Sequence, residues 1–151
     1  MNKKICIIVL TFIIVLVLIS VFQQKNKKTK SPYTEFTDSI KLTIKDDEII
    51  DNTMTVIFTN ESETSYEYGL CYEIEFKEGN NWYVLKPKHE VDTTLMAYSI
   101  NQGESKEIDI NFTYKYGDLS KGHYRLIKLF SYKVNENEYK EVVAAVEFNI
   151  K

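Results

Sequence analysis

Period-two alternation recurs along this chain, and it restricts the fold more than any other feature. Ile40, Leu42 and Ile44 alternate with Lys41, Thr43 and Lys45. Met54, Val56 and Phe58 alternate with Thr53, Thr55 and Ile57. The longest series is Tyr66, Tyr68, Leu70, Tyr72, Ile74 and Phe76, opposite Glu67, Gly69, Cys71, Glu73, Glu75 and Lys77. Trp82 to Leu85 follow a hairpin turn of Glu78-Gly79-Asn80-Asn81. Ile108, Ile110, Phe112 and Tyr114 alternate with polar neighbours, and His123–Tyr132 and Tyr139–Ile150 close the chain around Asn135-Glu136-Asn137. Side chains two apart share one face of a strand, so each series reads as a strand with one buried face. The last two are apolar on both faces in places, as central or interface strands are. Asp92–Ile100 reads as either a short strand or a helical turn, and no stretch of useful length repeats at 3.6. The expectation is an all-β domain of seven or eight strands in about 117 residues, 35–151. That density favours a two-sheet sandwich, with a barrel left open by periodicity.

Ahead of the domain, Ile5 to Phe22 run 18 positions without a charge, between Asn2-Lys3-Lys4 and Gln23-Gln24-Lys25. As a helix the run is roughly 27 Å long, close to the hydrocarbon thickness of a bilayer. A cleaved signal wants small residues at its exit, whereas Ser20-x-Phe22 presents a large one. A lipoprotein signal wants a Cys after the run, whereas Cys6 stands at its start. The expectation is a short tail at 1–4, a transmembrane signal-anchor at 5–22, a basic linker at 23–34 and a domain at 35–151. Lysine counting alone favours the carboxy side in the cytoplasm. The short tail with two lysines before an apolar run, together with the domain behind it, favours export.

Charge divides along the same line. The net charge is −3, yet all six basic residues before Ser31 lie in the tail and linker. The domain keeps 13 Lys and Arg against 22 Asp and Glu, a balance of −9. Such a balance disfavours nucleic acid, which is bound by Lys and Arg on phosphate.

Cys71 is the domain's single cysteine, so no disulfide forms within it. Cys71, His89 and His123 stand apart in sequence, which removes a zinc site, and both histidines read as surface residues at loops. No nucleophile motif or glycine-rich phosphate loop is present. Asp46-Asp47-Glu48 with Asp51 and Asn52 offer oxygen ligands of the kind Ca²⁺ takes, but lack a glycine-spaced loop; a solvated acidic turn is the favoured reading. Glu67, Glu73, Glu75 and Glu78 share one strand or its end, and paired carboxylates are the equipment of acid–base chemistry. Because three of them alternate with apolar residues, they read instead as a solvated sheet face. Tyr66, Tyr68 and Tyr72 read as core with hydroxyls at its rim. Tyr83 and Tyr98, beside loops, are the candidate partner-binding aromatics. The expected catalytic, cofactor and metal residues are therefore none.

Leu119-Ser120-Lys121-Gly122-His123-Tyr124-Arg125-Leu126 is the most specific string. With Tyr68-Gly69-Leu70-x-Tyr72-x-Ile74-Glu75 and Gly79-x-x-Trp82, it resembles the bacterial immunoglobulin-like domains of exported Gram-positive proteins. The resemblance spans roughly Glu35 to Ile150. It implies an Ig-like antiparallel β-sandwich with a tyrosine corner, in which Leu119 plugs the core, Gly122 frees the backbone and Tyr124 bonds back to the corner. The inter-sheet disulfide of antibody domains is replaced by apolar contact between Leu126 and Val56 or Phe58. The combined expectation is a single-pass, membrane-anchored, extracytoplasmic module that binds a protein partner in the cell envelope without catalysis. The alternative is a sensor or inhibitor subunit recognising a small envelope ligand or Ca²⁺.

Overall fold

The computed structural model describes residues 13–18, 28–45, 49, 52–91 and 96–151. Among these residues ten strands appear in chain order: β1 (Thr29–Lys30), β2 (Ile40–Ile44), β3 (Thr53–Asn60), β4 (Tyr66–Tyr68), β5 (Glu73–Glu78), β6 (Asn81–Val84), β7 (Tyr98–Ile100), β8 (Ser105–Asn111), β9 (Gly122–Asn135) and β10 (Glu138–Ile150). One helical turn, Thr113–Tyr116, links β8 to β9. The strands build two antiparallel sheets, one of seven strands and one of three, the latter ordered β2-β3-β8. The molecule is thus an all-β sandwich.

The strand number exceeds the expected seven or eight for two reasons. Thr29–Lys30, inside the basic segment, add an edge strand on β6, with Thr29 facing Val84 and Lys30 facing Tyr83. The long tyrosine series splits into β4 and β5, both paired with β9. The ambiguous 92–100 stretch contributes β7 at its end, while its residues 92–95 lie outside the described set. Of the expected membrane span at 5–22, residues 13–18 are helical and the rest lies outside the described residues. Among the described residues no helix is long and apolar enough to cross a membrane.

Burial follows the alternation. On β3, Met54, Val56, Phe58 and Asn60 point inward. On β9, Tyr124, Leu126, Lys128 and Phe130 form the inward row. Phe58 meets Tyr68 and Phe130 edge-on, each at 5.5 Å between ring centroids, joining the sheets at the centre. Val56, Phe58 and Leu126 are fully buried in one continuous core. At the β5–β6 hairpin, Gly79 takes a φ of 58°. A positive φ at the first central position is what a two-residue type II′ turn demands of its glycine.

β9 is the central strand of the large sheet. It pairs with β10 along one side and with β5 and then β4 along the other. β7 lies beyond β4, and β6 followed by β1 lies beyond β5. β10 pairs with no strand but β9 in the described structure, though the Thr37 N–H reaches its Val143 carbonyl at 2.8 Å.

Candidate functional site

The split between β4 and β5 creates the most unusual locality of the fold. Glu67 pairs with Ser131 and Glu73 with Ile127, so six steps on one side span four on β9. Two extra residues are therefore accommodated at 69–72, and their carbonyls leave the ladder. Lys128, only 2 % exposed, fills the gap from the β9 inward row. Its ammonium donates to the Gly69 and Cys71 carbonyls, the latter at 2.6 Å. It also lies 6.0 Å from the Phe58 ring centre and 5.7 Å from that of Tyr68. From the helical turn, Lys115 Nζ donates to the Tyr72 carbonyl at 2.5 Å and sits 4.9 Å over the Tyr72 ring. Two ammonium groups thus hold the carbonyls of the inserted segment.

Beside this segment lies a cleft of about 300 Å³, bounded by Ile108 to Asn111 of β8, by Leu70 to Tyr72, and by Tyr114, with Lys115 and Lys128 in its wall. Large apolar side chains stand exposed at it: Leu70 and Val91 at 46 % each and Tyr114 at 65 %. Burial penalises the charged form of Lys128 and lowers its pKa to about 8. Burial lowers Lys115 too, against the opposing carboxylate of Glu73. Burial pushes the Tyr72 hydroxyl up to about 12.

The sequence reading passed over both lysines. Lys128 nevertheless left a signal: it occupies the inward parity of β9 between Leu126 and Phe130. Its acceptors come from a segment 57 and 59 residues away, which local pattern cannot reveal.

The opposite face of β9 carries a correction. Glu75 does not lie on a solvated face; it is 0 % exposed. Arg125 Nε donates to its Oε2 at 2.7 Å, while Oε1 has no hydrogen-bond partner among the described residues. The cover comes from the segment ahead of β2. Arg125 Nη2 donates to Ser31 Oγ at 3.1 Å and to the Tyr33 carbonyl at 3.4 Å, and its guanidinium stacks 4.8 Å from Phe36 and 4.4 Å from Trp82. Residues 31–36 therefore strap the outer face of the large sheet. Alternation gave the direction of Glu75 and not what lies over it.

The other singled-out residues are dispersed. Tyr124 Oη donates to the Ser120 carbonyl at 2.8 Å, and Leu119 packs at the core margin. A Cβ at Gly122 would lie 3.2 Å from the Tyr124 ring, so a bare backbone is what lets the ring fold back. Tyr83 stacks on Phe76 at 5.6 Å, and Tyr98 stacks on Tyr68 at 5.7 Å. They sit on β6 and β7, flanking β5 and β4 respectively, so the sheet does not bring them together. His89 stacks on Tyr114 at 5.1 Å. His123 lies on β9 rather than in a loop, 2.6 Å from Glu147. Of the Ca²⁺ candidates, Asp46, Asp47, Glu48 and Asp51 lie outside the described residues. Asn52 donates to Asp118 at 2.6 Å. Among the described residues no group of three or more His, Cys, Asp or Glu converges as a metal site.

A family model described as a bacterial Ig-like domain matches residues 34–148. No curated protein matches the chain.

Proposed function

The chain belongs to the bacterial Ig-like domain family, and from that premise we propose a non-catalytic interaction module, anchored in a membrane by residues 5–22 with its sandwich outside the cytoplasm. The observation that carries this reading is how the segment after the apolar run joins the fold. Thr29–Lys30 extend the large sheet, and Lys28 Nζ meets Glu78 at 2.5 Å while facing the rings of Phe76 and Tyr83. Six peptide steps from Phe22 to Lys28 reach at most about 20 Å. An anchored sandwich would therefore stand close to the bilayer instead of on a long stalk. The partner that suits it is another envelope protein exposed at that height. The basic segment beneath the domain favours the same posture, because anionic headgroups attract its lysines.

Protease treatment of intact cells tests the placement. Digestion of the domain without lysis is expected; survival until lysis would reverse the topology. Cross-linking on intact cells, followed by recovery of the chain, tests the partner. A discrete envelope protein is expected, and recovery of background alone would sink the interaction reading.

A second reading, a module that senses a small envelope ligand, is favoured by the cleft beside Lys128.

A further inference from the structure

We propose that the cleft between β8 and the 69–72 insert binds a small amphipathic carboxylate, with its anionic head on Lys128 and its apolar body against Leu70, Val91 and Tyr114. This deepens the small-ligand reading and rests on it for biological sense. It does not depend on the membrane placement.

Three observations converge. The first is shape: a cavity of about 300 Å³ lies at the lower end of the range for small-molecule sites, which combine apolar walls with a few polar groups. The second is the surface at the cleft. Leu70, Val91 and Tyr114 are all strongly exposed and line the same opening. Isolated exposed apolar side chains are ordinary, whereas several that line one concavity point to a contact site. The third is charge. Lys128 has three N–H donors, and two of them go to neutral carbonyls. No carboxylate forms an ion pair with it among the described residues. An ammonium in apolar surroundings without a counter-ion is costly, and a ligand carboxylate would supply both the missing acceptor and the missing charge. A neutral apolar ligand would satisfy the walls and leave the ammonium unpaired.

Other titratable groups face the same space. Cys71, Tyr72, Asp109, Tyr114 and Lys115 line the cleft, and Glu73 acts on Lys115. The Asp109 carboxylate accepts from Thr55 Oγ at 2.6 Å. Lys115, already bonded to the Tyr72 carbonyl, adds a second positive charge to the wall. Because Lys128 loses its proton near pH 8, carboxylate binding is expected to weaken as pH rises through that value.

The test uses the full chain in lipid nanodiscs with lysine side chains isotopically labelled at Cε. 3-Phenylpropionate is the probe, and 3-phenylpropanol is its uncharged counterpart. The expected result is a saturable shift of the Lys128 Cε signal and a raised Lys128 pKa with the acid, at millimolar concentration. The alcohol should bind at least about tenfold more weakly, as loss of a charge-assisted hydrogen bond implies. Lys128→Met should erase the preference for acid over alcohol. Tyr114→Ala, at an exposed position, should weaken both ligands while leaving the fold intact. Equal binding of acid and alcohol to the unaltered chain, or no saturable shift at Lys128, would overturn the proposal. A topology result has no bearing on either outcome, so the two ideas fail separately.

Discussion

Two ionised side chains from adjacent positional rows of β9 are buried on opposite faces of the same strand, and each makes its own demand. Arg125 and Glu75 form a pair shielded by Trp82, Phe36 and the backbone at Tyr33. Removing one member of such a pair strands the other, which costs about 3–5 kcal/mol, whereas replacing both with apolar residues is far milder. Arg125→Met is therefore expected to destabilise the fold by that amount in urea unfolding. Combining it with Glu75→Leu should recover most of the loss; a double variant as weak as the single one would show that the strap, not the charge, dominates. Lys128 makes the opposite kind of demand, because it is buried without a counter-charge. Its pKa falls from 10.5 to about 8 on folding. Between those values the unfolded chain holds a proton that the folded one has released, so stability rises with pH, by up to about 1.4 kcal/mol per unit. Tyr72 moves the other way, from 10.0 up to about 12. Above pH 10 the folded state retains the proton that the unfolded state gives up, so stability then declines. Urea midpoints measured across this range should pass through a maximum near pH 10, and Lys128→Met should flatten the rising limb. A wild-type profile flat from pH 8 to 10 would contradict the buried ammonium.

Among the elements, the β4–β5 break carries the most consequence. Leu70 and Cys71 can be regarded as the two surplus residues, and deleting them should let Tyr66–Glu78 run unbroken along β9. The deletion also withdraws the Cys71 carbonyl from Lys128. It should therefore be more damaging in the unaltered chain than in a Lys128→Met background, with a coupling of about 1 kcal/mol or more in a double-mutant cycle. Strict additivity would separate the lysine from the insert. This break also shows why alternation revealed only part of the architecture. Two residues are one full period of a strand, so the insertion leaves parity intact, and Tyr66, Tyr68, Ile74 and Phe76 still share a face across it. The series therefore looks continuous in sequence while the ladder is not. β2, β3 and β8 were legible because each is a single run with one buried face. The turn at Gly79 and the string from Leu119 to Tyr124 were legible because their chemistry is local. The cleft was not, since β8, the insert and the helical turn meet there only after the sheets have packed. The burial of Glu75 was not legible for a related reason: its direction is set by its neighbours, and its cover by residues some 40 positions earlier.

For the whole molecule, the sandwich is two layers closed by an aromatic core, with a strap running from the amino-terminal side across the outside of the larger layer. The strap is held by two residues of edge pairing, the Ser31 N–H on the Trp82 carbonyl, the Lys28–Glu78 and Lys30–Asn81 contacts, the bonds from Arg125 and the Phe36 ring against its guanidinium. Tension applied at the amino terminus would meet these attachments before any hydrogen bond of the central strands. Edge pairs pulled from one end open in succession like a zipper, whereas β9, flanked along both sides, must be sheared. Stretching the chain between its amino terminus and Lys151 in an optical trap should therefore show a small early extension before global unfolding. Release of residues 28–36 frees about 30 Å of contour, and the added extension is that length less the distance the strap already covers on the sheet. A single all-or-none rupture would mean that the strap and sandwich yield together. If the early step occurs, the first response of this molecule to a pull is to lengthen while keeping its core, and to bring the Arg125–Glu75 pair into contact with water.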